Sequence, residues 1–142
     1  MSKYKFVGFQ EHIEIPEGFE PLNIHHEITS GLRKGDAFAY LCVPAKLSQW
    51  FFATDKFESK TGGKITFQTP VGEDIAVCTG FVIEQSVALV SDLFGNLLAS
   101  VEKAPEGSKI ILDFKLLTDS SAEKIALIEP RIEALRELLA CG

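Results

Sequence analysis

Between Lys64 and Leu117 the chain is a succession of alternating runs separated by turn residues, and no other feature restricts its fold as strongly. Ile65 and Phe67 alternate with Lys64, Thr66 and Gln68, and Ile75, Val77, Thr79, Phe81 and Ile83 form a longer run. Val87 to Phe94, a Gly95-Asn96 turn, Leu97 to Glu102, a Pro105-Glu106-Gly107 turn and Ile110 to Leu117 follow. Period-two runs joined by tight turns describe an antiparallel meander. Gly62-Gly63 reads as one more hairpin signal, after a strand-like stretch beyond Trp50-Phe51-Phe52, so the meander counts about six strands. Such a sheet carries an apolar face that something must cover.

The end of the chain supplies the cover. Ser120-Ser121-Ala122-Glu123 has the spacing of a capping box, and Ile125, Ile128, Ile132, Leu135 and Leu139 form an apolar helical stripe. Pro130 inside that stripe removes a backbone hydrogen bond and should bend the helix, which suits a curved sheet.

Ahead of the meander, residues 22–29 alternate Leu22, Ile24, His26 and Ile28 against Asn23, His25, Glu27 and Thr29, the period of a first strand. Phe38, Leu41 and Cys42 then recur at helical spacing, with Asp36 as an expected N-cap and Pro44 as a stop or a new start. Leu47, Trp50 and Phe51 repeat the spacing, so two short helices joined at Pro44 are predicted. Residues 1–21, with Pro16, Gly18 and Pro21 as breakers, form an extension that either adds a strand around Tyr4 to Phe9 or wraps the surface.

At 142 residues the chain reads as one domain, 1–142, able to bury a core without disulfides or metal. Its formal charge of −6 is spread along the sequence, which argues against nucleic acid as a partner. The three cysteines, Cys42, Cys78 and Cys141, are far apart and lack metal-ligand spacing, as expected of a reducing cytoplasm. Cys42 and Cys78 read as buried small hydrophobes and Cys141 as the more exposed thiol. The N-terminal segment lacks the apolar core of a signal peptide, and the apolar stretch from Ala37 to Ala53 is too short and too interrupted for a membrane span.

Phe38-Ala39-Tyr40-Leu41, Pro44, Leu47, Gln49-Trp50-Phe51 and Gly62-Gly63-Lys64-Ile65-Thr66-Phe67 together resemble the activator-of-Hsp90-ATPase-homologue-like branch of the START-like (SRPBCC, Bet v 1-like) superfamily. The resemblance covers residues 22–140 in element order and is specific over 38–67; Gly80-Phe81-Val82 and Gly107-Ser108-Lys109 resemble later strands of that family. It implies an α+β helix-grip fold: a curved antiparallel sheet wraps a long C-terminal helix, two short helices close one end, and an apolar cavity lies beneath. Trp50 would then pack near the cavity mouth and Gly62-Gly63 would make the first hairpin turn. The sequence departs from the family at Tyr40, at Cys42-Val43, where a Thr-Asp is usual, and at Pro130-Arg131-Ile132, where a Gly-Trp pair is usual.

His25 and His26 are adjacent on a strand and point to opposite faces, so they cannot share one ion. His26 faces inward with Ile24 and Ile28, either orienting a ligand or bonding a carbonyl. Asp92 and Asp113 can fall on either face; if inward they need cationic partners, for which Arg33, Arg131 and Arg136 are available. No nucleophile, zinc-protease or phosphate-loop motif occurs, and no metal or cofactor is expected. The expected ligand-binding set is Phe38, Trp50, Phe81, Ile128 and Leu135, with His26 and Asp92 as polar orienters of a small apolar or amphipathic molecule. Two alternatives stand beside this reading. One is a cyclase- or hydrolase-like enzyme using His26 or Asp92; the other is a co-chaperone-like interaction module with a filled core, acting by its surface or as a homodimer, with Phe6-Val7-Gly8-Phe9 as one candidate contact.

Overall fold

The computed structural model describes residues 17–141. The chain order is β1 (Glu20–Ser30), α1 (Lys34–Cys42), α2 (Pro44–Leu47), β2 (Lys64–Thr69), β3 (Gly72–Val82), β4 (Ser86–Ser91), β5 (Gly95–Ala104), β6 (Gly107–Thr118) and α3 (Ser121–Cys141). The six strands form one antiparallel sheet in the order β1-β6-β5-β4-β3-β2. The first strand thus lies beside the last, paired from Glu20↔Thr118 to Ser30↔Ser108. The two short helices carry the chain to the far edge, and α1 packs on β4, β5 and β6. The segment proposed as a contact, Phe6 to Phe9, and the candidate strand around it lie outside the described residues, as does the Cys141 side chain.

Alternation decides the inner face of the sheet. Ile24 and Ile28 of β1, Ile65 and Phe67 of β2, Val87 and Leu89 of β4, and Ile110, Leu112 and Phe114 of β6 are all buried. Ile128, Ile132, Leu135 and Leu139 of α3 complete this core, so the α+β helix-grip architecture is present, with α3 covering the sheet. Ile125 departs from the expected stripe and is 40% exposed. Pro130 also lies on the exposed side of α3, where the Ala126 carbonyl that loses its intrahelical donor is not enclosed by the core.

The long run from Ile75 to Ile83 does not present one face. Ile75 and Val77 are exposed, whereas Ala76 and Cys78 are fully buried. The pairing with β4 shifts between Cys78 and Gly80, and this β-bulge exchanges the two faces of the strand. Phe81 therefore turns inward, opposite the buried Val87, although it shares sequence parity with the outward Ile75 and Val77.

Three local expectations are corrected. Asp36 is not the N-cap of α1: Arg33 occupies that position, and Asp36 sits in the first turn, where its carboxylate suits the helix dipole and accepts from Arg33 Nε at 3.4 Å. Ser120 starts α3 through its carbonyl, which accepts the N–H groups of Glu123 and Lys124, while its hydroxyl lies beside that of Thr118. The stretch before Gly62-Gly63 is a loop with one isolated bridge, Ala53↔Gln68, so five strands follow the helices, and the first hairpin turn is Pro70-Val71.

Gly62-Gly63 instead extends the pairing with β3, since Gly62 N–H donates to the Cys78 carbonyl at 2.7 Å and Cys78 N–H donates to the Gly63 carbonyl at 2.8 Å. The two glycines are needed for different reasons. Gly62 has φ +88° with open space around it, whereas a Cβ at Gly63 would overlap the Glu58 carbonyl oxygen. In urea denaturation Gly62→Ala should cost about 1 kcal/mol, from backbone strain alone. Gly63→Ala should cost more than about 2 kcal/mol, because backbone has to move; equal costs would contradict this division.

Candidate functional site

Aromatic rings occupy the space between sheet and helix. Phe51 lies within 4.7–5.3 Å, centroid to centroid, of Phe52, Trp50, Phe67 and Phe94, and 6.4 Å from Phe114. Ile128 and Leu135 are fully buried in the same cluster, and Phe38 is nearly so. Phe81 is half-buried with its ring 5.7 Å from that of Phe38. These four expected cavity residues thus pack as core, and the fifth, Trp50, stands where the core reaches the surface. Its indole N–H donates to the Tyr40 carbonyl at 2.8 Å, tying the end of α2 back to α1.

At this edge a groove of about 550 Å³ opens between the turn after α2 and the outward side of α3. Ser48, Trp50 and Phe51 form one wall, and Ala126, Leu127, Pro130 and Ala134 the other. The apolar residues meet two charges. Glu123 stands near the start of α3, and Arg131 lies two turns further on. The guanidinium carbon of Arg131 sits 4.1 Å from the centre of the Phe52 ring, while its Nε is buried without a hydrogen-bond partner. Burial lowers the Arg131 pKa from its ordinary value, as expected for a charge partly withdrawn from water.

A larger depression of about 710 Å³ lies beside the N-terminus of α1, lined by Arg33, Lys34, Asp36, Glu84 and Lys103. Glu84 has φ +58°, and its carboxylate reaches Gly35 in the first turn of α1. That surface therefore already contains its own anion, and charged residues make up most of its lining.

His26 is on the inner face, at the edge of the sheet, and bonds to α3 through both ring nitrogens. A Glu129 carboxylate oxygen lies 3.0 Å from Nε2, and Arg136 Nη2 lies 3.2 Å from Nδ1. A guanidinium can only donate, so Nδ1 must be the acceptor and Nε2 carries the proton toward Glu129. Glu129 and Arg136 are seven positions apart and flank the buried stripe, which is how one helix face grips both sides of an imidazole. His25 points the other way, to Glu27 at 3.2 Å, on the outer face. There Lys109 bridges Glu27 and Glu102, and the Glu27 carboxylate is held below its usual pKa by its hydrogen bonds from His25 and Lys109.

The remaining candidates fall away from the groove. Asp92 is exposed in the turn between β4 and β5 and is not on the inner face of a strand, because β4 ends at Ser91. Asp113 is on the outer face, accepting from Asn23 Nδ2 at 2.7 Å. Arg33 pairs with Asp36 and Arg136 with Glu133, so neither serves an inward aspartate. Cys78 is buried and Cys42 partly so, and burial raises both thiol pKa values. Among the described residues no three His, Cys, Asp or Glu side chains converge as metal ligands, and no helix is long and apolar enough to cross a membrane.

Leu127, Pro70 and Glu129 were not singled out by sequence, although a helical projection of α3 puts Leu127 and Glu129 on the flanks of its buried stripe. Replacing His26 by Ala should cost about 1–2 kcal/mol in urea denaturation. A double-mutant cycle with Glu129→Ala should return a coupling of about 0.5–1.5 kcal/mol. Additive single-mutant costs would contradict the clamp.

No protein-family model matches the chain, and no curated protein matches it. Solved structures match in fold. Protein BH1534 from Bacillus halodurans superposes with a TM-score of 0.72 at 13% identity, over 83% of this chain and 96% of its own. Protein MLL2253 from Mesorhizobium loti gives 0.70 at 12% identity, over 85% and 98%. The Aha1 dimer from Colwellia psychrerythraea gives 0.68 at 15% identity, over 83% and 96%. The chain therefore shares with these proteins, the Aha1 structure among them, its fold: the helix grip, an antiparallel sheet covered by a long C-terminal helix.

Proposed function

We propose that the protein binds a small amphipathic molecule in the groove between the turn after α2 and α3. The observation that carries this reading is the meeting, in one depression of about 550 Å³, of apolar walls from two elements with the Arg131 guanidinium. That volume suits a compact ligand, and mostly apolar walls with a few convergent polar groups are the usual make-up of such sites. The expected residue Trp50 is part of it; Phe38, Phe81, Ile128 and Leu135 are outside its lining and belong to the packed core. His26 serves as a clamp between β1 and α3 and does not orient the ligand.

Trp50, the single tryptophan, makes the test direct. A panel of amphipathic molecules should change its fluorescence saturably, and Leu127→Glu should weaken binding by about ten- to a hundredfold, the equivalent of one lost apolar contact. Binding that is indifferent to Leu127→Glu would place the ligand elsewhere.

A second reading, an interaction module acting through its surface, draws on the outer face of the sheet. Ile75, Val77, Val90 and Leu98 are exposed there, with Val77 directly opposite Val90 and Leu98 opposite Ala88. A second copy of the chain fits such a face, and one of the structural neighbours is a dimer. On this reading light scattering gives twice the chain mass, and Val90→Lys returns it to the monomer value; a monomer at all accessible concentrations removes it. The cyclase- or hydrolase-like alternative draws no support from His26, whose ring nitrogens are both engaged.

A further inference from the structure

Arg131 is left without a counter-charge by its own helix. The residues three and four positions away, Leu127, Ile128, Ala134 and Leu135, are all apolar, so no carboxylate stands where a helical ion pair would form. The nearby acids are otherwise directed: Glu129 to His26, and Glu133 to Arg136. Among the described residues Arg131 makes no ion pair and no hydrogen bond, and its Nε is an unsatisfied buried donor. The chain carries 20 acidic residues against 14 basic ones, so an unpaired, partly desolvated cation is not a matter of short supply of carboxylates.

Contact with the Phe52 ring accounts for the position of the guanidinium but supplies no acceptor in line with its N–H groups. Those groups are the ones that hold a carboxylate in fork geometry. Glu123 in the same groove is eight residues away along α3, about 12 Å, with Ala126, Leu127 and Pro130 between them. An anionic group is repelled at the Glu123 end and attracted at the Arg131 end, while a short apolar body can lie on the residues in between.

We infer that the groove selects an amphipathic carboxylate, with Arg131 receiving the carboxylate and Leu127 and Pro130 carrying the apolar part. This rests on the groove being the ligand site, and the test separates the two ideas. Decanoate and 1-decanol, matched in chain length and differing in charge, are titrated into the protein under one buffer condition, with Trp50 fluorescence as readout. Decanoate should bind about ten- to a hundredfold more tightly. Arg131→Met, which keeps an apolar stem over Phe52, should weaken decanoate alone, and Arg131→Lys should retain part of the preference; melting temperatures check that both variants fold. Equal affinity of the native protein for the two probes, or a preference that survives Arg131→Met, overturns the selection by Arg131 and leaves the groove standing. Binding of neither probe overturns both.

Discussion

Phe51 touches five aromatic rings contributed by the turn it belongs to, by two strands and by the β4–β5 turn, and the position of nearly every other element follows from that packing. Its edge-on contacts with Phe67 of β2 and Phe94 at the end of the β4–β5 turn fix the far half of the sheet against the short helices. Neighbouring bonds hold the turn that presents it. The Ser48 hydroxyl donates to the Thr54 carbonyl and accepts the Thr54 N–H, both at 2.9 Å, so the chain from 48 to 54 is a closed loop. Truncating a ring at such a hub typically costs about 3–5 kcal/mol, a large part of what holds a domain of this size together.

On the proposed reading the ligand site lies outside the aromatic interior. With Phe51, Phe52, Ile128 and Leu135 in close contact, the concave surface left by the sheet and α3 is the edge where Trp50 and Phe51 meet Leu127 and Arg131. The same packing explains the charge arrangement. Arg131 emerges where α3 passes from its buried stripe to the groove, over the face of Phe52, and gains ring contact there at the expense of hydration.

Much of this was readable in the residues. Strands with uninterrupted alternation, such as Ile24 to Ile28 and Ile110 to Phe114, lie as their period requires, and the helix stripe is right at Ile128, Ile132, Leu135 and Leu139. The misreadings have local physical causes. In β3 the bulge at Cys78–Gly80 changes which residues face inward, and alternation alone carries no mark of a slipped register except the glycine itself. At Gly62-Gly63 the sequence signals that side chains are excluded but not by what; the excluding group is the Glu58 carbonyl, in a loop with no period. His26 was placed inward correctly, yet its partners come from residues more than a hundred positions away. Asp92, open to either face on alternation alone, lies exposed in a turn, because Val90 and Phe94 look continuous in sequence although a turn separates them.

The central claim is that a ligand meets the surface edge of the aromatic core and does not enter between sheet and helix. Intermolecular nuclear Overhauser effects between decanoate and the methyl-labelled protein test it most directly. The account predicts contacts to Leu127 methyls and to the Trp50 indole, with none to Ile128 or Leu135. Contacts to Ile128 or Leu135 would show that the core opens and would contradict it.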